Sequence, residues 1–255
     1  MSALRIAEPG ERCAAVGALA SFQGKVDTAA VLAEPPGLPG RPARPLLVAP
    51  GSVAQRAVGT PEGRAALLHA LAHIEFNAIG LALDHVWRFS GLPQEYYRDW
   101  ARVAVEEAHH FALLRGRLIE AGHDYGDFPA HDGLWEMARR TEDDPLARMA
   151  LVPRTLEARG LDASPAVRAK LMSVGDVESA RVVDTILRDE IGHVAIGNRW
   201  FRFLCARRGL DPAVACREAA QSRRAPRQRG PFNVTARLQA GFTMEEVEEL
   251  QKSAG

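Results

Sequence analysis

Six side chains in this sequence combine metal-ligand chemistry with a repeated spacing: Glu75, Glu107, His110, Glu157, Glu190 and His193. A glutamate is followed 32 residues later by Glu107-Ala108-His109-His110, and a second glutamate is followed 33 residues later by Glu190-Ile191-Gly192-His193. On a helix, residues three apart project from one face, so the Glu and His of each Glu-x-x-His can grip one ion side by side. A carboxylate can bridge two cations, which a single imidazole does not readily do. Mixed oxygen and nitrogen ligation suits iron or manganese better than the metals that prefer sulfur.

The second segment offers two registers, because Glu106 precedes His109 as Glu107 precedes His110. Val103, Glu107, His110, Phe111, Leu114 and Leu118 form an apolar stripe, whereas Arg102, Glu106, His109, Leu113 and Arg117 form a more polar one. A metal centre belongs in the core, which selects Glu107 and His110. Around Glu75, the residues Leu68, Ala72, Ile79, Ala82 and Val86 share a face, and around Glu190 and His193 so do Val183, Ile186, Gly197 and Phe201. Met149, Val152, Leu156 and Glu157 fall together in the third segment. An acid or imidazole centred in each of four apolar stripes is costly unless something compensates it, and two divalent cations would. Two helical hairpins that each supply Glu and Glu-x-x-His make the di-metal carboxylate site of ferritin-like four-helix bundles. Metal-bound histidines usually donate their other N–H to a carboxylate or carbonyl. Asp189 and Glu106 are the candidates, Asp189 toward His110 and Glu106 toward His193. His69 and His73 lie off the apolar stripe and read as surface residues, and Tyr96 and Tyr97 stand about three turns from the ligands of their helix.

Four long segments carry apolar residues at three- and four-residue spacing and position these ligands. They run over about 61–89, 94–121, 144–159 and 176–208, with Gly122, Gly160 and Gly209 as stop signals. Short helices are expected around 133–140, 165–173 and 243–251, the last capped by Thr243. Strand-like alternation is scarce, so the fold class is all-α. Residues 35–50 hold six prolines in sixteen positions and read as an extended arm, free to wrap the surface or to reach a partner subunit. The expected organisation is a helix and Pro-rich arm over 1–60, the di-metal bundle over 61–209, and an Arg-rich tail with a short helix over 210–255.

Lys plus Arg equals Asp plus Glu at 32 each, which gives no general attraction to nucleic acid or anionic membrane. The three cysteines, Cys13, Cys205 and Cys216, are odd in number and lack CxxC spacing, which suits a reducing compartment. No apolar run is expected to span a membrane, and the mildly apolar stretch from Cys13 to Phe22, preceded by Glu8, Glu11 and Arg12, reads as a short helix rather than a secretion signal. A cytoplasmic location is the expectation.

The stretches LLHALAHIEFNAIGLALD, DWARVAVEEAHHFALLRGRL, YGDFPAHDGLWE, LVPRTLEARGLD, ILRDEIGHVAIGNRWF and GPFNVTARLQAGF resemble an uncharacterised ferritin-like family, domain of unknown function 455. The likeness covers about residues 40–208 and the GPFNVTARLQAGF segment. Relatives commonly show EEARHF in the second helix, which aligns Glu107 and His110 with that motif; this chain has His109 where arginine is usual. The resemblance implies a ferritin-like fold and a di-metal site, and it implies no settled reaction.

The functional expectation is a di-iron carboxylate protein (manganese or a mixed pair being the other ions that fit) acting as an O₂-dependent oxidase or hydroxylase. A small-molecule substrate and an external electron donor would be its partners, since no flavin or ferredoxin signature is present, and a homodimer is compatible with the arm. Nucleic acid and membrane are not expected partners. The alternatives are metal storage, a di-metal scaffold without substrate, and di-manganese peroxide chemistry.

Overall fold

The computed structural model describes residues 2–54 and 56–254. Among them the regular structure is helical, and the sole strand-like feature is an isolated bridge between Leu47 and Ala130. The chain divides into two compact units, Met1–Trp135 and Glu136–Gly255.

In the first unit, α1 (Ser2–Arg5) and α2 (Pro9–Gly17) precede the long helices α3 (Pro61–Arg88) and α4 (Gln94–Glu120). Helix α2 starts earlier than the apolar residues from Cys13 suggest, because Glu8 accepts the Glu11 amide at 2.6 Å and Pro9 occupies the first helical position, where its missing N–H costs nothing. Thr60 does the same for α3, accepting from the Gly63 amide at 3.0 Å with Pro61 next in the chain. The short connection 89–93 makes α3 and α4 an antiparallel hairpin. Tyr97 secures that turn by donating to the Phe89 carbonyl at 2.8 Å. Leu68, Ile79, Trp100, Phe111, Leu114 and Leu118 form its buried interior.

Helix α3 is long and apolar enough to cross a membrane by composition, contrary to the expectation that no run is. Within the protein 72% of that apolar window is buried, the pattern of a core helix surrounded by other elements. The proline-rich arm folds back onto this unit. Its Gly40 amide donates to the Leu4 carbonyl at 2.8 Å, Arg41 pairs with Asp132, and Val48 donates to the Ala130 carbonyl at 2.8 Å.

Helix α5 (Gly133–Arg140) leads into the second unit. There the third segment departs from expectation. Instead of ending at Gly160 it continues as α6 (Pro145–Leu151), a π-helical turn (Val152–Glu157) and α7 (Ala158–Ser173), so the separate helix expected at 165–173 is the end of one continuous run. Pro165 sits inside α7 and deprives the Leu161 carbonyl of its helical donor; Asn233 Nδ2 donates to that carbonyl at 3.2 Å, which lets the helix pass through. Helix α8 (Val177–Arg208) is capped by Asp176, whose side chain accepts the Ser179 amide at 3.1 Å, and ends at Gly209 with φ 64°. It packs antiparallel to α7 across the short connection 174–176.

The stretch expected to be an Arg-rich tail contains α9 (Pro212–Ser222) and α10 (Val234–Gln239) before α11 (Met244–Ala254). Asp211 and Asn233 cap the first two, accepting from Val214 at 2.9 Å and Ala236 at 3.2 Å. The arginines are engaged within the unit: Arg223 pairs with Asp143 at 2.9 Å, Arg217 with Glu249 at 3.2 Å, and Arg227 donates to the Ser253 carbonyl at 2.8 Å.

Candidate metal centre

The α3–α4 hairpin brings Glu75, Glu107 and His110 together, with one ligand atom of each lying within 4.8 Å of the others. All three are buried, at 5%, 1% and 0% exposure. His110 Nδ1 stands 3.4 Å from Glu107 Oε2 and 3.4 Å from Glu75 Oε2. The second approach is too poorly aligned for a hydrogen bond, so among the described residues Glu75 Oε2 is a buried oxygen with none. Helical phase decides the register: Glu107 and His110 face inward, while His109 is exposed and Glu106 half-buried.

Burial, then the Glu107 charge, pushes the Glu75 carboxyl up to about 8, against the opposing pull of His110. Burial works to lower the His110 pKa, but the Glu107 and Glu75 carboxylates beside the ring outweigh it and hold the imidazole well above its ordinary value. Two acids and a histidine buried together are a costly interior, and a cation among them would offset that cost. The donor set of carboxylate oxygens and an imidazole nitrogen fits iron or manganese.

The second unit builds the same local arrangement on α8. Glu190 and His193 are buried, at 8% and 1% exposure, with His193 Nδ1 3.2 Å from Glu190 Oε1. In each Glu-x-x-His, then, the ring nitrogen Nδ1 turns toward the carboxylate three residues earlier. Glu157 closes the π-helical turn and is half-buried. A π turn widens the helix and rotates the residues beyond it, so Leu156 and Glu157 do not continue the regular stripe of Met149 and Val152, both fully buried. Thr155 satisfies the loosened turn by donating its hydroxyl to the Ala150 carbonyl at 2.8 Å. Gly197, in the stripe beyond His193, faces Pro153, whose Cβ would lie 2.5 Å from a Cβ added there.

Of the two proposed supporting acids, Asp189 is half-buried and accepts from Arg188 at 2.9 and 3.2 Å. The expectation that His69 and His73 are surface residues is overturned, since they are 0% and 7% exposed. His69 stacks on Tyr125 at 5.3 Å between ring centroids and accepts the Gly126 amide at 2.9 Å. His73 Nε2 is 3.0 Å from both the His131 carbonyl and Asn77 Nδ2, and its Nδ1 is 2.9 Å from the Tyr125 hydroxyl. Their burial arises because α3 is enclosed on more than one face. Tyr96 is likewise structural, its hydroxyl 3.3 Å from His85 Nδ1, with His85 stacked on Trp100 at 3.9 Å.

A family described as "Protein of unknown function (DUF455)" matches residues 5–248. An uncharacterized protein of Haemophilus influenzae is 50% identical over 214 residues, covering 81% of this chain and 74% of that protein. No solved structure matches.

Proposed function

Since this chain belongs to the DUF455 family, whose description assigns no reaction, we propose from its side chains alone that it is a ferritin-like di-metal carboxylate protein, with iron as the native metal and an O₂-dependent oxidation or hydroxylation as its reaction. The observation that carries the reading is the buried cluster of Glu75, Glu107 and His110, whose ligand atoms converge in the interior. Further support comes from the same Glu-x-x-His geometry at Glu190 and His193 and from the matched spacing that pairs Glu157 with them.

In this proposal Glu75, Glu107 and His110 would hold one ion, and Glu157, Glu190 and His193 would hold another. A reduced di-iron pair held there would supply the ability to activate O₂, with electrons from an external donor. The chain's own residues do the rest. Carboxylates neutralise the ions, the Glu-x-x-His spacing orients imidazole and carboxylate in parallel, and the apolar stripes around Glu75 and Glu107 keep bulk water away. Glu106 and Asp189 are proposed to orient the ligating histidines. Glu157, on a wide π turn, has more latitude to move than a ligand on a regular helix.

Metal content of the protein purified without added metal, measured by plasma mass spectrometry beside a Glu107→Ala/Glu190→Ala variant, tests the reading. Two iron per chain, lost in the variant, with O₂ consumption after anaerobic Fe(II) loading and reduction, is the expected outcome. Two manganese with peroxide disproportionation would replace the oxygenase by the peroxide reading. A folded wild type that takes up no metal after Fe(II) loading would sink both.

A further inference from the structure

A pocket in the first unit, separate from the metal ligands, opens to solvent. Its walls are apolar, from Phe76, Trp135, Leu47 and the prolines of the arm, and its polar lining includes Arg12, Asn77 and Tyr125. Arg12 is the unusual member. It is 2% exposed, donates through Nε to the Ile6 carbonyl at 2.9 Å and through Nη2 to the carbonyls of Ile6 and Gly40, and lies 4.4 Å from the Phe76 ring centroid. Its third nitrogen, Nη1, makes no hydrogen bond among the described residues, and it stands beside Gly80 on the pocket wall, 3.9 Å from where a Cβ there would lie.

Buried charges are normally paired. Arg12 has no carboxylate within ion-pairing distance among the described residues. The other charge in the lining, Arg41, is already matched by Asp132. His73 is committed to Tyr125 and the His131 carbonyl, and Asn77 Nδ2 donates to the His73 carbonyl at 2.8 Å. The pocket therefore holds one uncompensated positive charge, with a free N–H, among aromatic and proline surfaces.

We propose that this pocket binds a small organic monoanion, a carboxylate with an apolar or aromatic body, whose oxygen accepts from Arg12 Nη1 while its body lies among Phe76, Trp135 and the arm. A single unmatched guanidinium suits one negative charge better than the two of a phosphate, and the walls favour a hydrocarbon body over a bare inorganic ion. Because the Gly40 carbonyl shares the same guanidinium, the proline-rich arm acts as the roof of the site.

The inference does not depend on the metal centre, and its test uses the full-length chain treated with chelator so that no metal can recruit the probe. Benzoate is titrated by calorimetry beside benzyl alcohol and inorganic phosphate. Saturable benzoate binding in the sub-millimolar range, at least tenfold tighter than either comparator, is expected. Arg12→Gln should abolish it. Because that change also loosens the arm, Gly80→Ala is the second variant. Its methyl meets Trp135 at 3.8 Å, Arg12 Nη1 at 3.9 Å and Leu4 at 3.6 Å, all ordinary contacts, and alanine suits a helix interior better than glycine. It should melt at or above the wild-type temperature while weakening benzoate at least tenfold. Absence of benzoate binding, equal binding of benzyl alcohol or phosphate, or full binding by folded Gly80→Ala would overturn the proposal.

Discussion

Glu75 shows what burying one acid beside another costs the protein that carries them. Its carboxyl is buried beside Glu107 and pushed up to about 8, so near neutral pH the metal-free chain must keep it protonated or tolerate its charge. Glu75→Gln keeps the shape and removes that burden. The metal-free variant is expected to resist urea better than wild type at pH 7.5 by about 1–3 kcal/mol, while its metal content falls. Urea melts in chelator, paired with metal analysis, check both halves of this expectation. The inward register of Glu107 and His110 was legible in the sequence because α4 is amphipathic: one stripe is apolar and the other carries arginines. The burial of His69 and His73 was not legible, because α3 is apolar around most of its circumference and an enclosed helix has no polar face from which to judge exposure. Arg12 escaped for a different reason. Its partners are backbone carbonyls and a distant proline-rich segment, and neither leaves a periodic mark in the sequence.

At the level of elements, the long helices and α5 could be read from apolar spacing with Gly and Pro punctuation, and the third segment could not. Gly160 reads as a stop and Pro165 as the start of a separate short helix, yet both lie inside α7. The compensation for Pro165 comes from Asn233, 72 residues away in sequence, which a reading of local signals cannot reach. The π turn is equally invisible to a search for 3.6-residue periodicity. It is held by a close approach of Pro153 to Gly197, where even a methyl would collide. Gly197→Ala is expected to destabilise the protein by about 2–3 kcal/mol, through displacement of Pro153. Chemical denaturation measures that loss, and in metal-loaded protein the variant should also bind iron more weakly. On α3, burial and the nearby His73 lower the His69 pKa to about 4 from an ordinary 6.5, against the pull of Asp127 and Asp124. A depressed histidine pKa contributes stability that is present above about 6.5 and lost as pH falls toward 4, on the order of 3 kcal/mol in full. His69→Gln should therefore flatten the acid limb of a stability curve measured between pH 4 and 7. An unchanged slope would show that His69 is not neutral in the fold.

For the whole molecule, a ligand bound by the folded chain and not by the unfolded one stabilises it by mass action, about 2.7 kcal/mol at a hundredfold excess over Kd. Fe(II) or Mn(II) should therefore raise the melting temperature of wild type in a concentration-dependent way, chelator should reverse it, and the Glu107→Ala/Glu190→Ala variant should not respond. Scanning calorimetry separates these outcomes. The tail is where the chain-wide reading fell short. It read as an Arg-rich tail with one short helix, but Asp211-Pro212 and Asn233-Val234 were capping signals for two further helices, and Arg217 and Arg223 close ion pairs within the second unit. Glu246 joins three of these devices. It accepts the Thr243 amide at 2.9 Å to start α11, pairs with Arg202 at 3.2 Å, and pairs with Arg154 inside the π turn. Arg154 is held in turn by Asn198 at 2.6 Å, and Asn198 reaches the Ala240 carbonyl at 2.7 Å. The last helix is thus a latch on the turn that carries Glu157, its Glu246 lying 92 positions beyond Arg154 in the chain. Deuterium uptake by the amides of Val152–Glu157 would be timed by the docking of α11, and loosening that helix would register as faster exchange beside Glu157.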